Sequence, residues 1–183
     1  MKALRHAPLI QLAWLPLVLV AITCVGGCAA YQFGSDAMFP VGIRTVHVPV
    51  VRNETFRHDL GVRLTDAIVD EITRRTPYVV TSDPNADSVL RCTVVGETKS
   101  VLTETRSDDP RALDVSISVR ADWISRNGQP LMANAGTTGD SPTIGFSQSI
   151  RMVPEAGQSY ATASQAAIEE LAGRIVSQME ARW

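Results

Sequence analysis

The chain has 183 residues, room for one ordinary domain and too few for two. Hydrophobic residues make up 45% and charged residues 20%, which excludes a disordered tail, a collagen-like repeat and a multi-span membrane protein. The formal charge of −2 leaves no basic excess for binding nucleic acid, and three cysteines cannot build a disulfide framework.

Lys2 and Arg5, with no acid nearby, precede an almost wholly apolar run from Leu9 to Val25. The run contains Pro16 and falls short of the about 20 apolar residues of a spanning helix. This is the layout of a secretory signal peptide over residues 1–27. It ends in Val25-Gly26-Gly27-Cys28, which resembles a bacterial lipobox: small residues admit the chain to the peptidase, and the thiol of Cys28 accepts the diacylglyceryl group. Cys24 competes poorly because Ile22 and Thr23 are bulkier than such a motif prefers. Ala29 stands where an aspartate would retain an enterobacterial lipoprotein at the inner membrane, so that resemblance points to the periplasmic face of the outer membrane. Cys92 is then the one cysteine inside the domain, expected to be buried and inert.

Residues 28–42 read as a lipidated tether whose aromatics (Tyr31, Phe33, Phe39) are able to dock on the domain. A strand begins at Ile43, with Val46, Val48 and Val50 alternating until Pro49 signals an edge or a strand end. Leu60, Leu64, Ile68 and Ile72 predict a helix over 59–76, capped or complemented by Asp59, ended by Pro77, with Asp70 and Arg74 pairing on its outer face. Asp83, Asn85 and Asp87 imitate a calcium loop but lack its glycine and closing glutamate, so a turn is expected. Ser88 to Leu102 is strand-rich, with Gly96 a bulge. Leu113, Val115, Ile117, Val119, Ala121 and Trp123 then alternate strictly with polar residues, a strand with one buried and one wet face. Asn127-Gly128 predicts a tight hairpin, followed by a third strand over Leu131, Ala133 and Ala135. Residues 136–157 are rich in Gly, Ser, Thr and Pro and read as a long loop with room for a short hairpin. A closing helix over about 159–182 buries Ile168, Leu171, Ile175 and Met179 and sets Glu170 against Arg174.

The order β-α-β-β-β-α predicts an α+β, two-layer sandwich: a mixed sheet of about four strands with two helices on one face, in a single domain over 43–183. No cofactor or metal motif appears: His47 and His58 have no ligand-spaced partner, and nucleotide loops and nucleophile elbows are missing from the sequence. A binding protein is expected, not an enzyme.

Ile43-Arg44-Thr45-Val46-His47-Val48-Pro49 with Asn53 and Thr55-Phe56-Arg57, then Leu64-Thr65-Asp66-Ala67, Thr76-Pro77-Tyr78-Val79-Val80 and Ala86-Asp87-Ser88-Val89-Leu90, resemble the LPS-assembly lipoprotein family LptE. Gly157-Gln158-Ser159 through Trp183 resembles the closing helix of a divergent branch. One departure is Cys28-Ala29-Ala30-Tyr31, where relatives often have Cys-Gly-Tyr. The resemblance implies an outer-membrane lipoprotein that plugs a large β-barrel, LptD, and helps it insert lipopolysaccharide. It also implies basic ligand-binding residues near strand ends, for which Lys99, Arg106 and Arg111 are the candidates; Glu104, Asp108 and Asp109 beside them favour a solvated hairpin tip over a ligand site. Ser116, Ser118 and Arg120 are the candidate partner-facing residues on the wet side of the longest alternating strand. The alternative is a lipoprotein regulator of peptidoglycan synthesis or a CsgG-like secretion subunit, which share the βα opening.

Overall fold

A computed structural model describes residues 39–104, 110–132, 136–138 and 141–180. The signal segment 1–27, Cys28, Tyr31, Phe33, Arg106, Ala133, Ala135 and residues 181–183 lie outside the described residues, and the closing helix, expected to about Arg182, ends at Ser177. The elements are β1 (Thr45–His47), β2 (Arg52–Asn53), α1 (Leu60–Arg75), β3 (Val79–Thr81), β4 (Ser88–Glu104), β5 (Pro110–Ser125), β6 (Gly136–Thr138), β7 (Ser141–Met152) and α2 (Tyr160–Ser177), with a short 3-10 turn at Pro154–Ala156. The strands form one sheet in the order β3-β1-β4-β5-β7-β6, and β2 also pairs with β4. β1, β2 and β3 join by parallel pairing, whereas β4, β5, β7 and β6 join antiparallel.

This is the expected α+β arrangement with more strands than four. The excess has three sources. The valine alternation at the start breaks after His47, so a three-residue β1 ends before Pro49 and a separate β2 follows. β3 is three residues long and completes the β1-α1-β3 crossover. The stretch expected as a loop with a short hairpin contains β6, three residues paired with the start of β7, and β7 itself, twelve residues that pair with β5 from Leu113↔Met152 to Ala121↔Ile144. Its composition is that of a loop, but Ile144, Phe146, Ile150 and Met152 keep period two, and pairing satisfies the backbone groups along that side of β5. Among the described residues no strand runs through Leu131; the isolated Ile124↔Pro130 bridge and the Leu131 N–H to the Trp123 carbonyl (2.9 Å) extend the hairpin instead. The hairpin itself is as expected, with Gly128 at φ 79°.

Both helices pack on one face. Leu60, Leu64, Ile68 and Ile72 of α1 and Ile168, Leu171, Ile175 and Met179 in and just beyond α2 are all buried, against Leu90, Val94, Ile117, Val119 and Trp123 of the sheet. α2 also buries Ala163, Ala167 and Ala172, whose small side chains let it lie close to its neighbours. It starts in a capping box: Ser159 Oγ accepts from Thr162 N–H (3.2 Å), and Thr162 Oγ1 accepts from Ser159 N–H (3.0 Å). Gly61 lets α1 approach the chain before it, since a Cβ there would stand 2.5 Å from the Val51 carbonyl oxygen. Phe39 is buried at the opposite end of α1, edge-on to Tyr78 at 5.5 Å, and Tyr78 leans on Trp123 at 5.7 Å. The last aromatic of the expected tether therefore does dock on the core.

Several surface pairings differ from expectation. Asp59 makes no side-chain cap; it pairs with Arg63 at 3.1 Å. Arg74 pairs with Glu71 instead of Asp70. Arg174 donates to the Ser147 carbonyl (2.7 Å) and Gln148 Oε1 (3.0 Å) instead of meeting Glu170, because β7 lies within its reach. The face of α1 expected to be solvated is partly an interhelix seam. Arg63 donates to Ser164 and Gln165, and Arg75 donates to the Gly173 carbonyl and Glu180, so the two helices run side by side in the same direction. Burial pushes the Glu71 carboxyl up, but hydrogen bonds and charge from Arg74 and Arg75 outweigh this and hold it below its ordinary value.

Candidate docking face

Among the described residues nothing is packed over the side of the sheet away from the helices, and the register of its three long strands says what that side presents. Residues opposite one another across a ladder share a face. Gly96, Ser118 and Ser147 form one row, Thr98, Ser116 and Ser149 the next, and Thr93, Arg120 and Gly145 a third. Arg91 and Asp122 close one end with an ion pair of 2.9 Å, and Ser100, Asp114 and Arg151 make the other. The centre is thus a lattice of glycines and short hydroxyl side chains. Ser118 Oγ donates to Ser147 Oγ at 3.3 Å, and Ser116 and Ser147 stand 3.5 Å apart. The hydroxyls bond to one another and have no imidazole beside them, so the arrangement offers hydrogen bonds and no activated nucleophile. Arg120 is exposed in the middle, between Thr93 and Gly145.

Ser116, Ser118 and Arg120 therefore do share one face, as the alternation predicts. What the sequence reasoning missed is the third column, Gly145, Ser147 and Ser149, because the composition of their segment is that of a loop. The alternating Ile144, Phe146, Ile150 and Met152 are the signal that finds it.

Lys99 and Arg111 stand on the opposite side. Lys99 faces Val115, which is buried with Leu113, Met152 and Ala163 under the start of α2. Arg111, two residues from Leu113, pairs with Glu155 at 3.5 Å. Both lie on the arm of β4 and β5 that runs past the helices, where Val101 and Leu102 are exposed as well. The structure thus separates these two candidate ligand residues from the candidate partner residues. Where the arm leaves the body, Tyr160 Oη donates to Glu97 Oε1 (2.6 Å), Arg57 pairs with Glu97 (3.3 Å), and the Arg57 guanidinium lies 4.1 Å from the Tyr160 ring centre. Burial, then the bond to Glu97, pushes the Tyr160 phenol up to about 12, so it stays a donor at neutral pH.

Other chemistry is sparse. His47 Nδ1 lies 3.0 Å from the Thr81 carbonyl oxygen, a tie between β1 and β3. Asp83 and Asn85 form a turn, and Asp87 holds β1. Among the described residues no three His, Cys, Asp or Glu side chains are grouped to hold a metal ion, and no helix is long and apolar enough to cross a membrane. Cys92 is buried, and that burial, with a smaller contribution from Asp122, pushes its thiol up to about 12.

A family model described as LptE, lipopolysaccharide-assembly, matches residues 43–183, which spans every described strand and helix. The chain belongs to the LptE family. Its role is accordingly in lipopolysaccharide assembly, in a family of non-enzymatic lipoproteins. No curated protein matches the chain. Among solved structures this LptE-family chain is similar to a single-site variant of the PelC dodecamer from Paraburkholderia phytofirmans (14% identity, 81% of this chain and 96% of that one, TM-score 0.49). It is also similar to a minor lipoprotein from Acinetobacter baumannii (14%, 79% and 100%, TM-score 0.45) and rare lipoprotein B from Shewanella oneidensis (10%, 74% and 93%, TM-score 0.47).

Proposed function

We propose that this protein is a docking lipoprotein for the outer-membrane β-barrel that inserts lipopolysaccharide, an LptD-like partner, and that it holds the barrel in its working shape without performing chemistry. The observation that carries this is the uncovered sheet face, three strands wide and lined by Ser116, Ser118, Ser147, Ser149 and Arg120. The wall of a large barrel's lumen is polar and wet. A face of short hydroxyls with Arg120 among them can approach such a wall closely and exchange hydrogen bonds with it. Family membership in lipopolysaccharide assembly supports the same reading.

In this reading Cys28 carries the lipid, residues 28–42 are the tether, and the domain works at the periplasmic face of the outer membrane. Lys99 and Arg111, on the arm, meet the phosphates of lipopolysaccharide from the side opposite the docking face, and Arg106, outside the described residues, is the third candidate for the same task. The two jobs then do not compete for surface.

The test is a photo-crosslinker substituted at Ser118 and, separately, at Arg120, in cells making lipopolysaccharide. A crosslink to the barrel at both positions, with depletion lowering assembled barrel and surface lipopolysaccharide together, is the expected result. Crosslinks to a cell-wall synthase, or normal barrel and surface lipid in depleted cells, would overturn the reading.

A further inference from the structure

Phe56 is fully exposed, at the tip of the turn between β2 and α1. An aromatic ring left in water forgoes about 1.5–3 kcal/mol of burial, and a turn of this length could hold it anywhere. Here the backbone is fixed around it. Asn53 Oδ1 accepts from Thr55 N–H (3.0 Å) and Thr55 Oγ1 (2.8 Å), and Asn53 Nδ2 donates to the Arg57 carbonyl. Glu54 N–H is bound to the Val94 carbonyl (3.0 Å), and Arg57 N–H donates to Thr55 Oγ1 (3.3 Å). The Arg57 side chain is clasped by Glu97 and Tyr160. The two residues on either side of Phe56 are thus tied to the sheet or to each other while its ring points away.

Phe56 is not alone. Val50 and Val62 are exposed, and they flank the close contact between Val51 and Gly61 at the base of the same turn. Both valines are next in the chain to that contact, and Val50 lines a shallow depression with Arg52, Arg91, Thr93 and Asp122, beside the uncovered face of the sheet. The charges around it carry no basic excess: Arg57 is paired with Glu97 and Arg63 with Asp59, which leaves Arg52 against Glu54 and Asp66. Such a rim has nothing to draw the corner to an anionic lipid surface. It suits the anatomy of a protein interface, an apolar centre ringed by mixed polar groups.

We infer that the Phe56 corner is a preorganised anchor, seating the Phe56 ring in an apolar pocket of the barrel partner. The partner's identity rests on the docking reading above; the existence of the anchor rests on the corner itself. Because the turn is already ordered, little conformational freedom is lost on binding, which is how a single aromatic contributes strongly to affinity. The corner lies at the N-terminal end of α1, while Phe39 enters the core beyond its C-terminal end, roughly 24 Å away for sixteen residues at 1.5 Å each. The lipid tether and the anchor would then restrain opposite ends of the domain.

The experiment uses the full-length, lipidated protein purified with its barrel from the outer membrane. Phe56→Ala is expected to keep the wild-type melting curve, since the ring is fully exposed, and to weaken barrel binding by about tenfold or more. Phe56→Leu should retain most of the binding, and Val79→Ala, at an exposed valine of β3, should match wild type. A photo-crosslinker at position 56 should capture the barrel. Unchanged binding by Phe56→Ala, or capture of lipid instead of protein at position 56, overturns the anchor while leaving the docking reading in place. A wild-type protein that brings down no barrel overturns both.

Discussion

Asp87 and Thr45 bind each other reciprocally. Asp87 Oδ2 accepts from Thr45 N–H at 3.1 Å and from Thr45 Oγ1 at 3.0 Å, while Thr45 Oγ1 accepts from Asp87 N–H at 2.9 Å. The same carboxylate oxygen accepts from Arg44 N–H at 3.1 Å. A residue just before β4 thereby holds the start of β1, and the ladder beginning at Val46↔Ser88 is set in register by it.

These bonds make the stability of the domain pH-dependent. The Arg44 N–H first, then the Thr45 hydroxyl and N–H, hold the Asp87 carboxyl below its ordinary value of 3.8; slight burial opposes them, and Arg126 adds a smaller attraction. A carboxylate lowered on folding contributes stability that is fully present above its unfolded pKa and is lost as pH falls through the folded value. Asp87→Asn is therefore expected to have a lower urea midpoint than wild type at pH 7. The gap should narrow below pH 3.8, and a gap unchanged from neutral pH to well below that value would contradict the assignment.

Gly61→Ala should destabilise the domain by about 1–3 kcal/mol, because the new Cβ would lie 2.5 Å from the Val51 carbonyl oxygen, a backbone atom that cannot swing aside. Gly145→Ala meets nothing within 4 Å and is the control. It should be neutral or stabilising by up to about 1 kcal/mol. Urea titrations of both variants decide.

The two faces of β5 should respond oppositely to truncation. Ile117 is 1% exposed in the middle of the core, and Ile117→Ala should cost about 2–5 kcal/mol. Ser118, on the uncovered face, loses only a 3.3 Å bond to Ser147 that water can replace, so Ser118→Ala should change stability by under about 0.5 kcal/mol. Matching losses in denaturant melts would mean the faces are assigned wrongly.

Cys28→Ala is expected to leave unprocessed precursor or protein that washes off the membrane. Acyl chains hold by about 0.8 kcal/mol per buried methylene, so two or more anchor stably. Intact mass of the membrane-extracted protein is the measurement; a mature terminus elsewhere, without lipid, would refute lipidation at Cys28.

The sequence alone was sufficient for the two helices and for β5, because each is a long segment whose apolar residues recur at the period of its own geometry. Leu60 to Ile72 and Leu113 to Trp123 need no partner to declare their buried faces. β7 was another matter. Its Gly145, Ser147 and Ser149 favour a loop when read locally, and only the open side of β5 makes a strand of them. The pairings of Arg74 and Arg174 likewise depended on which long side chain found the nearer partner in the fold. So did the uncovered face: alternation declares that Ser116, Ser118 and Arg120 are together, but the hydroxyl lattice exists only where β4, β5 and β7 lie side by side. Local periodicity is written in neighbouring residues, whereas strand neighbours and long-range polar contacts are settled between segments far apart in the chain.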